Sequence, residues 1–197
     1  SGNENGLENT NAVYVINGDD GSIEDKIIIS DVLGASTECL YGGAMDGDNG
    51  FWLMDGFGFP KNFIRVDMNS GDVDAFPATC GYGISVDAYG RVWGGGKWAN
   101  GSTTSCVQRF EPGNPDDVII TLPVQLRDQF LRGIAVGLKI SDGYVWAAES
   151  AGSIYQVNMA TMEIVNNFHI RDDVDTDDEN GLIGVAIDYE GYVWSVS

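Results

Sequence analysis

The segment Tyr82-Gly83-Ile84-Ser85-Val86-Asp87-Ala88-Tyr89-Gly90-Arg91-Val92-Trp93 decides the fold. Ile84, Ser85 and Val86 read as a short, mostly apolar strand. Asp87 to Gly90 are turn formers, and Arg91-Val92-Trp93 opens a return strand of β-branched and aromatic type. The segment is therefore a β-hairpin. It returns as YGGAMDGDNGFW at Tyr41–Trp52, as RGIAVGLKISDGYVW at Arg132–Trp146 and as IGVAIDYEGYVW at Ile183–Trp194. The shared frame is glycine, three small or apolar residues, usually aspartate, then a turn glycine, a variable residue, an apolar residue and tryptophan. Successive tryptophans are 41, 53 and 48 residues apart, a period typical of repeat architectures. Gly90, Gly143 and Gly191 stand three residues before their tryptophans, whereas Gly50 stands two before Trp52. That offset makes the first copy irregular.

A second unit follows each hairpin: NFIRVDMNSGDVDAF, CVQRFEPGNPDDVIITL and SIYQVNMATMEIVNNF, with a related AVYVINGDDGSIEDKIIIS near the start. Each is a strand, a polar turn and another strand. Two hairpins make four strands, the content of one β-propeller blade, whose faces are buried by its neighbours. The expectation is an all-β chain of four-stranded blades. Residues 1–11 form a flexible segment, 12–32 an outer hairpin, about 40–78, 81–122 and 132–170 three blades, and 182–197 an inner hairpin. If the end hairpins share one blade, the ring has four blades. The alternative is a processed piece of a larger ring, completed by a second chain or copy. A β-sandwich or another β-solenoid is the competing architecture.

GISVDAYGRVW with RFEPGN, and IGVAIDYEGYVW with SIYQVNMATMEIV, resemble the repeats of the virginiamycin B lyase (streptogramin lyase) and NHL-type propellers. The resemblance runs from Val13 through nearly the whole chain. It implies the propeller fold. For the lyases it further implies elimination chemistry on a cyclic depsipeptide, with a divalent metal and histidine at the ring face. The single histidine, His169, sits in NNFHI, which reads as an outermost strand, so that chemistry lacks its main carrier. HExxH, GxSxG and Walker A signatures are absent. Gly94-Gly95-Gly96-Lys97 lacks the Walker spacing and reads as a wide or bulged strand exit.

The 197 residues carry 30 acidic against 10 basic side chains, a formal charge of −20. Such a surface repels phosphate backbones and anionic membranes, which argues against nucleic-acid and membrane partners. No apolar run is long enough to cross a membrane as a helix. Glycine, at 27 residues, and an aromatic share of 11% fit many short strands joined by tight turns rather than disorder. No signal peptide is visible, and SGNENGLENTN reads as a mature terminus or a linker left by processing.

Site candidates follow from residue chemistry. Asp173, Asp175 and Asp177 have the alternate spacing of a calcium loop, within an acidic connection that also holds Asp172, Asp178 and Glu179. Asp178 occupies the glycine position of an EF-hand and Gly184 its twelfth position. An EF-hand is therefore excluded, and the choice lies between a looser Ca²⁺ site and a solvated loop. Asp46, Asp87 and Asp188 enter their turns where carboxylates accept backbone N–H bonds, while the third copy has Gly137 there. Tyr82, Trp98, Phe57 and Phe59 fall in connections and offer aromatic platforms for a small-molecule, glycan or protein ligand. The repeated tryptophans read as packing between blades.

Cys39, Cys80 and Cys106 form no CxxC pair, so a zinc ribbon is excluded. In a propeller blade the start of the first strand and the start of the third share a face, which makes a Cys80–Cys106 disulfide geometrically feasible. It implies an oxidising, extracellular or periplasmic setting. The functional expectation is a secreted binding or assembly module with its ligand at the central-channel face, with Ca²⁺ as a candidate stabilising ion. The alternative is a metal-dependent lyase or hydrolase.

Overall fold

The computed structural model describes residues 11–29, 40–55, 61–98, 105–113, 119–124, 130–137, 143–170 and 181–196. The described residues form antiparallel strands and turns without a helix. A first hairpin joins β1 (Ala12–Ile16) to β2 (Ile23–Ile28). Three four-stranded meanders follow. They are β3 (Leu40–Met45), β4 (Gly50–Asp55), β5 (Lys61–Asp67) and β6 (Val73–Ala78); then β7 (Cys80–Val86), β8 (Val92–Trp98), β9 (Ser105–Phe110) and β10 (Ile119–Val124); then β11 (Leu131–Val136), β12 (Tyr144–Glu149), β13 (Ser153–Asn158) and β14 (Ile164–His169). A final hairpin joins β15 (Gly184–Ile187) to β16 (Val193–Val196). The two end hairpins are separate two-stranded sheets.

Each meander is apolar on both faces, as a blade requires. Trp52, Met54 and Phe63 face Ile84, Val92 and Phe110 of the next sheet. Leu53, Ile64 and Val66, on the opposite face, pack against Val13 and Ile29 of the first hairpin. Trp93 and Val107 meet Ile134, Val136, Val145 and Ala147. Ala148 and Ile154 meet Leu182 and Val185. Burying each large side chain at these seams contributes about 2 kcal/mol.

The inner strands β3, β7, β11 and β15 touch in sequence. Small residues permit this. A Cβ on Gly83 would lie 2.5 Å from the Arg132 carbonyl oxygen, and one on Gly133 would lie 2.7 Å from the Val185 nitrogen. The sheets are thus blades arranged about an axis lined by their first strands, the β-propeller arrangement.

Two local expectations change. The first turn is not irregular in backbone: Asn49, at φ 59°, takes the left-handed position that Gly90 and Gly191 hold in their copies. Asparagine tolerates that conformation, and Gly50 is simply the residue after it. Gly94-Gly95-Gly96 is no bulged exit either. The three residues lie inside β8 in continuous register with Ile84, Gly83 and Tyr82. Gly94 is small because a Cβ there would meet Gln108 Nε2 at 2.9 Å and Met54 Cε at 2.8 Å.

Candidate functional site

The inner strands all start on one face, and there the repeat becomes chemically uneven. Counting five residues back from the turn position gives Tyr41, Tyr82, Arg132 and Ile183. Tyr41 and Tyr82 have ring centroids 4.4 Å apart, and Tyr82 lies 5.8 Å from Phe130. Lys97 Nζ stands 6.0 Å, and the Arg132 guanidinium 4.8 Å, from the Phe130 centroid. The three rings form a partly buried row with cations at one end.

Buried charges support the row from below. Lys61, 3% exposed, donates from Nζ to the Gly81 carbonyl at 3.2 Å, next door to Tyr82. Burial pushes the Lys61 ammonium below its usual value; the nearby Asp55 carboxylate opposes that and the Lys97 charge reinforces it. Arg132 Nε is buried without a hydrogen-bond partner among the described residues. In a chain of net charge −20, Lys97 and Arg132 set two cations beside Phe130, while the buried Lys61 is offset by Asp55.

The blade connections fix this face. Gln108, fully buried, accepts the Thr79 N–H at 2.8 Å and the Cys80 N–H at 3.3 Å through Oε1, and its Nε2 donates to the Cys80 carbonyl. Cys80 and Cys106 are joined by a disulfide with Cα atoms 5.9 Å apart, tying β7 to β9. Ser105 Oγ accepts the Leu131 N–H at 3.1 Å, which anchors the chain beside Phe130.

Among the expected ligand residues, Tyr82 stands in the row. Trp98 ends β8 opposite Cys80 in the backbone register. Phe57 and Phe59 lie outside the described residues, as do Asp173, Asp175, Asp177 and Cys39. No group of three or more His, Cys, Asp or Glu side chains able to hold a metal occurs among the described residues. His169 is on the exposed outermost strand β14, 3.2 Å from Ser153 Oγ. Tyr41, Phe130 and Arg132 were missed by sequence reasoning. Aligning the copies five residues before the turn, rather than on the tryptophan, exposes the Tyr, Tyr, Arg, Ile series.

On the opposite face the turn carboxylates are occupied. Asp87 accepts from the Tyr89 and Arg91 backbones, from Arg91 Nε at 2.6 Å and from the Trp93 indole at 2.8 Å. A groove of about 680 Å³ lies there between two blades, lined by Tyr89, Arg91, Glu111 and Asn158. Its rim includes Gly113, Gly137 and Gly143, which flank residues outside those described. No helix among the described residues is long and apolar enough to cross a membrane.

No protein-family model matches this chain, and no curated protein sequence matches it. Solved structures do. The chain is similar to streptogramin B lyase, with a TM-score of 0.55 at 14% identity, over 80% of this chain and 61% of that one. It is similar to a structural-genomics protein of unknown function from Bacteroides thetaiotaomicron VPI-5482, with a TM-score of 0.55 at 12% identity, over 82% and 39%. The chain spans less than two thirds of either protein's length. At these identities the likeness is one of fold, and the fold is the β-propeller.

Proposed function

We propose that this chain is a binding module whose ligand lies across the channel mouth on Tyr41, Tyr82 and Phe130, with an acidic group against Lys97 and Arg132. The observation that carries this reading is the ring row, with spacings of 4.4 and 5.8 Å, ending at two cations. Adjacent tilted rings, at 39° and 57° to one another, favour a flat or apolar ligand face. The cations favour an anionic end, because their field is local within an acidic molecule. The disulfide supports an extracellular or periplasmic setting.

The test uses 2-naphthoate as a flat, anionic probe, followed by NMR. Tyr82→Ala and Lys97→Ala each weaken binding about tenfold, corresponding to one lost stacking or charge contact of about 1.4 kcal/mol. Uncharged naphthalene binds the wild type less tightly and is indifferent to Lys97→Ala. Unchanged naphthoate affinity in Tyr82→Ala sinks the proposal. The lyase alternative rests on fold likeness alone, and His169 stands away from this mouth on β14.

A further inference from the structure

We propose that the groove between the second and third blades, on the face opposite the channel mouth, binds a neutral sugar. A pyranose ring lies against Tyr89, and its hydroxyls are shared by Arg91, Glu111 and Asn158. The site sits between two intact four-stranded sheets and does not depend on the ligand proposed for the mouth.

An exchange of partners builds this groove. In the first blade Arg65 Nε donates to Asp46 Oδ2 at 3.1 Å. Arg109 is the equivalent residue in the second blade, since Trp52 pairs with Arg65 and Trp93 with Arg109. Arg109 does not make the matching bond. Asp87 Oδ2 accepts Arg91 Nε instead, at 2.6 Å. Position 91 corresponds to Gly50, where a Cβ would collide with Asp46 Oδ2 and Arg65 Nε. A side chain at this position therefore displaces the arginine of the third strand. The displaced Arg109 reaches across the seam. Its Nη1 donates to the Met159 carbonyl, and its Nη2 pairs with Glu111 at 2.8 Å. Its Nε is left buried without a hydrogen-bond partner.

The turn itself does not require this exchange. An unpaired buried N–H costs stability. The first blade closes the same turn without that cost, through the Asp48 and Gly50 N–H bonds to Asp46. Departures from local consistency of this kind concentrate at functional sites. The exchange places a guanidinium on the wall of a groove of about 680 Å³, within the range of about 300–1,000 Å³ usual for small-molecule sites.

Charge selects the class of ligand. Asp87 is neutralised by Arg91 and Glu111 by Arg109, so a charged ligand meets no net opposite charge from these four groups. Hydrogen-bonding capacity remains unused. Among the described residues Arg91 Nη1 and Nη2, Glu111 Oε2 and Asn158 Nδ2 have no hydrogen-bond partner, the Asn158 Oδ1 being taken by the Ala160 and Thr161 N–H groups. Donors and an acceptor thus line one groove, and a hydroxyl answers both. Tyr89 supplies the apolar platform: it is 62% exposed, with the Arg91 guanidinium over its ring at 4.9 Å. The guanidinium carbons of Arg91 and Arg109 also lie 5.8 and 5.7 Å from the Trp93 centroid. The buried indole holds both in place before any ligand arrives. The other aspartate-led turns carry Asp48 with Gly50, and Glu190 with Tyr192, at the positions of Tyr89 and Arg91. The tyrosine–arginine pair belongs to this seam alone.

The experiment is an NMR titration of the full chain with methyl β-D-glucopyranoside, and in parallel with sorbitol, which has the hydroxyls but no ring face. The expected result is that the glucoside shifts the Gly90 and Arg91 amide signals and the Trp93 indole N–H, and that sorbitol binds more weakly. Tyr89→Ala weakens the glucoside about tenfold, the loss of one platform contact. Arg91→Gly lets Arg109 return to Asp87, as Arg65 bonds Asp46, and weakens binding at least as much. Tyr82→Ala, at the opposite mouth, leaves the glucoside unaffected. Unchanged affinity in Tyr89→Ala overturns the proposal, and because Tyr89 is exposed this variant decides even where Arg91→Gly fails to fold. Lost affinity in Tyr82→Ala puts the sugar at the mouth and overturns the groove. Equal binding of sorbitol overturns the ring platform, and no shift with either probe overturns the site outright.

Discussion

Asp46 is the residue around which the first inner hairpin is organised. Its Oδ1 accepts the Asp48 N–H at 2.8 Å and the Gly50 N–H at 2.6 Å; its Oδ2 accepts the Trp52 indole at 2.8 Å and Arg65 Nε at 3.1 Å. One carboxylate thus closes a turn and orients the tryptophan six residues on. Asp188 repeats the indole bond to Trp194 at 2.8 Å. Burial raises the Asp46 carboxyl, but the bonds from Gly50, Trp52, Asp48 and Arg65 outweigh it and hold the group below its ordinary value. A carboxyl lowered on folding stabilises the native state above its unfolded value of about 3.9 and loses that contribution as pH falls through the folded value. Asp46→Asn is therefore expected to cost about 1–2 kcal/mol near neutrality, with the difference from wild type shrinking below about pH 4. Thermal melts across the acid range check this. A gap that stays constant into acid contradicts the charged-acceptor role.

At the scale of strands, glycine spacing sets how closely blades approach the axis. Gly83→Ala would drive a methyl to 2.5 Å from the Arg132 carbonyl oxygen, on the neighbouring inner strand. Backbone cannot yield there as a flexible side chain can, so the expected loss is at least about 2 kcal/mol. Gly184→Ala meets only ordinary contact, at 3.4 Å from Val196, and should leave stability within about 0.5 kcal/mol. Denaturant melts of the two variants compare the positions directly, and equal losses would refute the seam argument. The sequence legibly carried the hairpin repeat, because strand alternation and turn glycines are local signals. It also carried the Cys80–Cys106 link, which follows from strand order once blades are assumed. The ring row was only partly legible: Tyr82 was visible as an aromatic near a connection. Tyr41 and Phe130 join it because the channel axis brings three blades' starting residues together. Gln108 was silent for a related reason, since its role is to hold the Thr79–Cys80 backbone 28 residues away.

For the molecule as a whole, the formal charge of −20 is the dominant long-range force. Self-repulsion of that size favours expanded states, and salt reduces it as the screening length falls to about 10 Å at 0.1 M. The melting temperature should therefore rise with NaCl and level off. Lys97 and Arg132 run against this field beside Phe130, so binding of an anionic probe should weaken over the same salt range. The two curves moving in opposite directions is a signature that uniform charge screening of a featureless surface does not produce. Calcium separates a second effect. The Ca²⁺ site expected at Asp173, Asp175 and Asp177 would gain binding energy from geometry as well as charge. The expected outcome is a further rise in melting temperature with CaCl₂ over NaCl at matched ionic strength, abolished in Asp173→Asn/Asp175→Asn/Asp177→Asn. Equal stabilisation by the two salts would make that acidic connection a solvated loop, and the calcium expectation would fall with it.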